Sequence, residues 1–120
     1  MSAPSKCISV TEAKDLQDNW VASRAVDIEL AQGFVDAREF LFSLADLQEF
    51  LDYVKEQSEE EGILNPGVRI YFGAYDNATS DKATVFLAPT KNVTSMGVVA
   101  NNYNLKPLNS GLSGFPPTNY

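Results

Sequence analysis

Three polar or aromatic residues recur along one apolar run of the chain, and their types could bind an anion. Arg69, Tyr71 and Tyr75 fall on one alternation of residues 68–75. Successive side chains of a β-strand point to opposite faces, so a strand here places all three on one face. A guanidinium beside phenol hydroxyls could bind a carboxylate or phosphate. An exposed sheet face accounts for the same residues without any ligand, because Tyr suits half-buried strands.

Enzyme chemistry finds little support elsewhere in the sequence. The chain has no histidine, which removes the commonest general base near neutral pH, the Ser-His-Asp and Cys-His nucleophile arrangements, and the His-containing zinc sites. Its single cysteine, Cys7, excludes an internal disulfide and a multi-cysteine metal site. The glycines form neither a phosphate loop nor a dinucleotide fingerprint. We predict no catalytic residue, no metal ligand and no cofactor, and we expect a protein that is not an enzyme.

Each of two acidic segments could bind a ligand or could be ordinary solvated surface. Residues 76–81 concentrate oxygen ligands that could hold a hard cation, but they lack the central Gly and distal Glu of an EF-hand, and a hairpin loop prefers the same residue types. Glu56, Glu59, Glu60 and Glu61 could attract a basic partner. Charge at a helix end is more often hydrated surface, so we interpret both segments as solvated.

Composition and charge exclude several classes of partner. The 120 residues are 44% hydrophobic, and nine basic residues against sixteen acidic ones give a net charge of -7. This charge opposes binding to phosphate backbones and anionic lipid, so we expect neither nucleic acid nor membrane as a partner. No leader-like apolar segment and no apolar run of membrane-spanning length is visible. We expect a cytoplasmic protein that forms a single domain over residues 1–120.

Capping signals predict two helices. Ser9 and Glu12 fit a capping box, after which apolar residues recur at helical spacing to about Arg24. Ser43 is a second N-cap before a clear amphipathic helix that Gly62 should terminate. Residues 26–34 between these helices suit either a strand or a helix, with an end at Gly33.

Alternating patterns predict the sheet. Residues 68–75 and 82–88 read as two strands of a hairpin with a loop at 76–81, and Pro89 is expected to stop the second strand. Residues 36–42 alternate as a further short strand. The predicted fold is α+β, a two-layer sandwich of two helices on a small, largely antiparallel sheet of three or four strands. The expected core comprises Trp20, Phe40, Phe42, Leu47, Phe50, Leu51, Val54, Ile70, Phe72, Val85 and Leu87.

The C-terminal quarter of the chain has a different composition. Residues 91–120 are rich in Asn, Ser, Gly, Pro and Tyr, with dispersed apolar residues that include Met96, Leu105 and Leu112. So many apolar residues favour an irregular tail that lies on the domain, with its last residues free or partly disordered.

The sequence of the hairpin resembles that of other proteins. The stretches G-V-R-I-Y-F-G-A-Y and T-V-F-L-A-P-T resemble a family of small bacterial proteins with no known function. The similarity covers about a third of the chain. It implies a bacterial cytosolic domain and transfers no site residue.

Two functional hypotheses follow from the sequence. The first is a non-enzymatic module whose open sheet face or apolar tail mediates self-association as a homo-oligomer, or contact with another protein. The alternative is a small-ligand binder or enzyme that uses Arg69, Tyr71 and Tyr75 to hold an anion.

Overall fold

A computed structural model describes residues 1–94, 98–109 and 113–120. Three antiparallel strands form one sheet in the order β1-β2-β3, which confirms the predicted α+β fold. The elements, in chain order, are α1 (Val10–Ala22), α2 (Arg24–Gln32), α3 (Leu44–Glu60), β1 (Pro66–Ala74), β2 (Ala83–Asn92) and β3 (Leu108–Asn109).

The helix starts follow the capping signals. The Ser9 hydroxyl accepts the backbone N–H of Glu12 at 3.0 Å, and the Ser43 hydroxyl accepts that of Asp46 at the same distance. Each bond satisfies one donor that the first helical turn leaves unpaired. Residues 26–34, for which the sequence allows a strand or a helix, fall largely in α2. Gly33 ends this helix in a left-handed conformation with φ of 82°. The sequence predicts two helices, and the described residues form three.

The predicted strand at residues 36–42 is wrong. Within this segment only Phe40 forms a bridge, an isolated one to Ser113. The Asp36 carboxylate instead accepts the N–H groups of Ala37 and Ala83, both at 2.8 Å. Alternation supplies the side-chain pattern of a strand but not a run of paired backbone groups. Beside the bridge, Gly114 donates its N–H to the carbonyl of Glu39 at 2.9 Å, and the Asp36 side chain ties the segment to the start of β2.

The hairpin forms as predicted at its loop and differs at its far end. Tyr75 donates its N–H to the carbonyl of Lys82, which leaves 76–81 as the connecting loop. β2 runs through Pro89 to Asn92, so Pro89 does not stop it. The pairing places Pro89 opposite Val68, where a β2 residue turns its backbone away from β1. The N–H that proline lacks is therefore not needed to hold β1.

The core lies between α3 and β2. Phe50, Val54, Leu87 and Leu105 form its buried cluster. Val85 is also buried, and Phe42 and Leu47 pack against the cluster. Three residues expected in the core are exposed instead, because the buried cluster lies over β2 and leaves much of their surface in solvent: Leu51 (46%), Ile70 (67%) and Phe72 (72%).

The segment after β2 covers one edge of the sheet. Asn101 forms an isolated bridge with Thr90, Asn102 donates its N–H to the carbonyl of Pro89, and β3 pairs with Phe86 and Leu87. Leu105 contributes to the core from this segment. Part of the predicted tail, including Met96 and Leu112, lies outside the described residues.

Candidate interaction surface

The three predicted ligand-binding residues do not converge on one point. Arg69 donates to the Asn101 side-chain carbonyl at 2.6 Å and to the Val99 carbonyl at 2.9 Å. The Asn101 amide donates in turn to the Tyr71 oxygen at 2.8 Å. Tyr75 donates instead to Asn109, at 2.9 Å. The structure therefore joins Arg69 and Tyr71 through one asparagine and gives Tyr75 a different partner.

The surroundings of Tyr71 lower the pKa of its phenol group. The Asn101 amide lowers the pKa of Tyr71, because an N–H donated to the oxygen stabilises the charged form, and Arg69 acts in the same direction. The Tyr71 ring stacks on Phe86 with centroids 5.2 Å apart. A cavity of about 320 Å³ borders these two rings and Tyr103.

A second polar contact joins the end of α3 to the C-terminal segment, and sequence analysis missed it. Glu61 accepts the side-chain amides of Asn102 at 2.9 Å and Asn104 at 2.7 Å. These two hydrogen bonds, with a smaller effect of the Lys91 charge, lower the pKa of Glu61. One carboxylate of an acidic run therefore has a specific structural partner, and no local pattern in the run distinguishes it.

The lowered pKa of Glu61 predicts an acid-sensitive contact. A carboxyl group with a lower pKa in the folded state stabilises the fold above its unfolded pKa, about 4.3, and loses that contribution as the pH falls through the folded pKa. We expect Glu61→Gln to show a smaller loss of stability than the wild type on acidification below about pH 4.3. Urea melts across the acid range would measure this, with Glu60→Gln as control. Parallel curves for wild type and Glu61→Gln would contradict the assignment.

A large apolar groove lies between the N-terminal helices and the end of the hairpin. Its volume is about 790 Å³. The Trp20 ring on α1 stacks on the Phe72 ring of β1, with centroids 6.1 Å apart and an interplanar angle of 11°. Arg38 donates to Asn119 at 2.6 Å at the border of the groove. Its apolar lining includes Leu16, Trp20, Ile28, Ala37, Phe72 and Ala83.

The outer edge of β1 is open. The hydrogen bond from Tyr75 to Lys82 fixes the alternation, so the odd-numbered residues of β1 direct their backbone groups to β2. Val68, Ile70, Phe72 and Ala74 direct theirs outward, and within the described ranges no residue bonds to them. The side chains of Ile70 and Phe72 lie on the same face of the sheet, and both are exposed. We call this set of four residues the β1 edge.

The chain exposes more surface than its mass requires. Its accessible area is 9010 Å², whereas a folded monomer of 13.1 kDa exposes about 6,400 Å². Its radius of gyration is 16.8 Å, against about 13.6 Å for a compact chain of this length. Neither α1 nor α2 buries a side chain. The exposed large apolar side chains include Ile70 and Phe72 of the β1 edge and Leu16 in the groove.

The residues that the structure covers contain neither a metal-binding cluster nor a membrane-spanning helix. No group of three His, Cys, Asp or Glu side chains there is placed to hold a metal ion. None of the helices in that part of the chain has the length and apolar character needed to cross a membrane.

Sequence reasoning found β1 but assigned its apolar residues to the core. The alternation reveals which residues share a face, and it does not reveal whether another element covers that face. No protein-family model, curated protein or solved structure matches this chain.

Proposed function

We propose that this chain is a non-enzymatic protein-interaction module that associates with itself. The observation that carries the proposal is the β1 edge, where Ile70 and Phe72 are 67% and 72% exposed on a strand that has no outer neighbour among the residues the structure describes. An exposed edge with apolar side chains is a template for pairing with another chain. Exposed apolar surface of this kind marks interaction sites in folded proteins.

The amount of exposed surface supports the same proposal. The accessible area exceeds that of a compact monomer by about 2,600 Å². Each partner in a standard protein–protein interface contributes about 800 Å². A partner on the β1 edge and the neighbouring groove has room for such an interface, and covering it reduces the exposed apolar area.

Charge is compatible with association through this surface. The chain carries a net charge of -7, which repels a second copy at long range. β1 itself contains one charged residue, Arg69, and no acidic residue. Because salt screens long-range repulsion and leaves apolar contacts intact, added salt should strengthen the association.

Light scattering coupled to size-exclusion chromatography tests this function. We expect a mass of twice 13.1 kDa that persists into the low micromolar range and is favoured by salt. The large radius of gyration of the chain does not bias this measurement, because light scattering reports mass independently of elution volume. A mass of 13.1 kDa throughout a micromolar to millimolar series would overturn self-association.

A second candidate, anion binding, is supported by the cavity of 320 Å³ beside Tyr71. Arg69 does not itself border this cavity, but Asn101 does, and Asn101 bonds both Arg69 and Tyr71. Calorimetric titration with inorganic phosphate and with acetate tests it, with Tyr71→Phe as the matched variant. Saturable heat that Tyr71→Phe weakens supports the site, and its absence at millimolar concentrations removes this candidate.

A further inference from the structure

We propose that two copies of the chain join through antiparallel pairing of their β1 edges, with Ile70 of each copy opposite Phe72 of the other. The two three-stranded sheets then form one sheet of six strands. This inference rests on the proposed self-association and specifies its surface, symmetry and register.

The outward backbone groups select the register. Two antiparallel strands related by a two-fold axis exchange a pair of hydrogen bonds between residues that point at each other. If Tyr71 lies on the axis, Val68 pairs with Ala74 and Ile70 with Phe72, in both directions. All four residues of the β1 edge then find a partner, which gives about eight new hydrogen bonds.

Neighbouring registers satisfy fewer groups. If Ile70 lies opposite its own copy, Ala74 faces Pro66, which has no N–H to donate. If Phe72 lies opposite its own copy, Val68 faces residue 76, which lies beyond the end of β1 in the loop. The register centred on Tyr71 is therefore the one in which the whole open edge is used.

The side chains suit this pairing. On one face, the exposed Ile70 of each copy meets the exposed Phe72 of the other, so four apolar side chains leave water together. On the opposite face, Arg69 lies across from Gly73, and its guanidinium remains bound to Asn101. No like charges face each other along the strand, even though the whole chain is strongly acidic.

The rest of the sheet points to the same edge. β3 and the bridge between Thr90 and Asn101 cover the outer side of β2. Natural edge strands are usually protected by charges, prolines or bulges. β1 has Pro66 and a change of register between Pro66 and Val68 at its start, and no such protection from Ile70 to Ala74. The other edge strand, β3, is two residues long, so in the described part of the chain β1 is the longer sheet edge available to a partner.

Substitution of an outward apolar residue tests the surface. We expect Ile70→Lys to weaken dimerisation at least 100-fold in sedimentation equilibrium, because two lysines then enter the apolar contact. Leu30→Lys, at a residue of α2 that is 80% exposed, is the matched control and should leave the dimer unchanged. Circular dichroism and thermal melts establish that both variants fold. A folded Ile70→Lys variant that dimerises like the wild type would overturn the proposed surface.

Cross-linking tests the register. In a Cys7→Ser background, Tyr71→Cys places two cysteines across the axis at a position where paired residues approach most closely. We expect oxidation to give a disulfide-linked dimer with Tyr71→Cys and much less with Ile70→Cys, whose two cysteines are not opposite each other. A wild-type protein that is dimeric but does not cross-link at 71 overturns the register alone. A monomeric wild type overturns both this inference and the proposed function.

Discussion

Replacing Leu87 by alanine is expected to lower the free energy of unfolding by about 2–5 kcal/mol. Leu87 is 7% exposed and joins β2 to α3 through the cluster that includes Phe50 and Val54. Alanine removes apolar contact and leaves a cavity that the surrounding strand and helix fill only in part. Urea unfolding followed by circular dichroism at one fixed protein concentration measures the difference.

An exposed leucine provides the control for this substitution. Leu64 is 93% exposed, so Leu64→Ala should change the free energy of unfolding by less than about 0.5 kcal/mol. Equal effects of Leu87→Ala and Leu64→Ala would mean that the α3 and β2 contact is not the core of this protein.

The substitution Asn102→Ala is expected to cost about 1.5–3 kcal/mol, although it removes no apolar contact of comparable size. Asn102 is 2% exposed. Its amide donates to Glu61, and its side-chain carbonyl accepts the N–H of Asn104 at 3.2 Å. Loss of both removes a hydrogen bond to a charged group and one to the backbone, and the shorter side chain leaves unfilled space at a buried position. The same urea measurement applies, and the cost should diminish at low pH, where Glu61 becomes protonated.

Asn104 is the natural comparison for Asn102. Its amide donates to the same carboxylate at 2.7 Å, but the contact is solvent-exposed. Water replaces an exposed partner more easily than a buried one, so Asn104→Ala should cost less than about 1 kcal/mol. If Asn104→Ala proves the more destabilising variant, burial of Asn102 is not what makes this contact important.

The local parts of the fold were predictable because their causes are local. The hydroxyls of Ser9 and Ser43 cap the helices that their positions indicate, and Gly33 adopts the left-handed conformation that ends α2. The hairpin and its loop follow from two alternating runs separated by polar residues. In each case the residues that decide the structure lie within a few positions of one another.

The errors arise where a distant segment decides the outcome. Residues 36–42 have the pattern of a strand, yet within them the structure has an isolated bridge, from Phe40 to Ser113, and Asp36 binds the start of β2. Pro89 continues a strand because its pairing position makes its missing N–H harmless. Leu105 reaches the core from a segment whose local pattern indicates no element. Alternation alone contains none of these tertiary relations.

At the candidate surface, too, local features were predictable and contacts with distant segments were not. The sequence predicts that Ile70 and Phe72 share one face of a strand, and the register confirms it. It also predicts that this face is buried, whereas both side chains are exposed. The predicted role of Arg69, Tyr71 and Tyr75 in binding a ligand stays a prediction, with the first two joined through Asn101.

The shallow attachment of α1 and α2 has a consequence for how the molecule unfolds. Neither helix buries a side chain, and the stack of Trp20 on Phe72 is a principal contact of α1 with the sheet. Parts of a protein with few buried contacts open locally at a lower free energy than the whole. We therefore expect the N-terminal helices to unfold in a transition of their own, at a lower free energy than the sheet and α3. A partner that holds Phe72 in place would couple the two transitions, so binding would also raise the free energy needed to open the N-terminal helices.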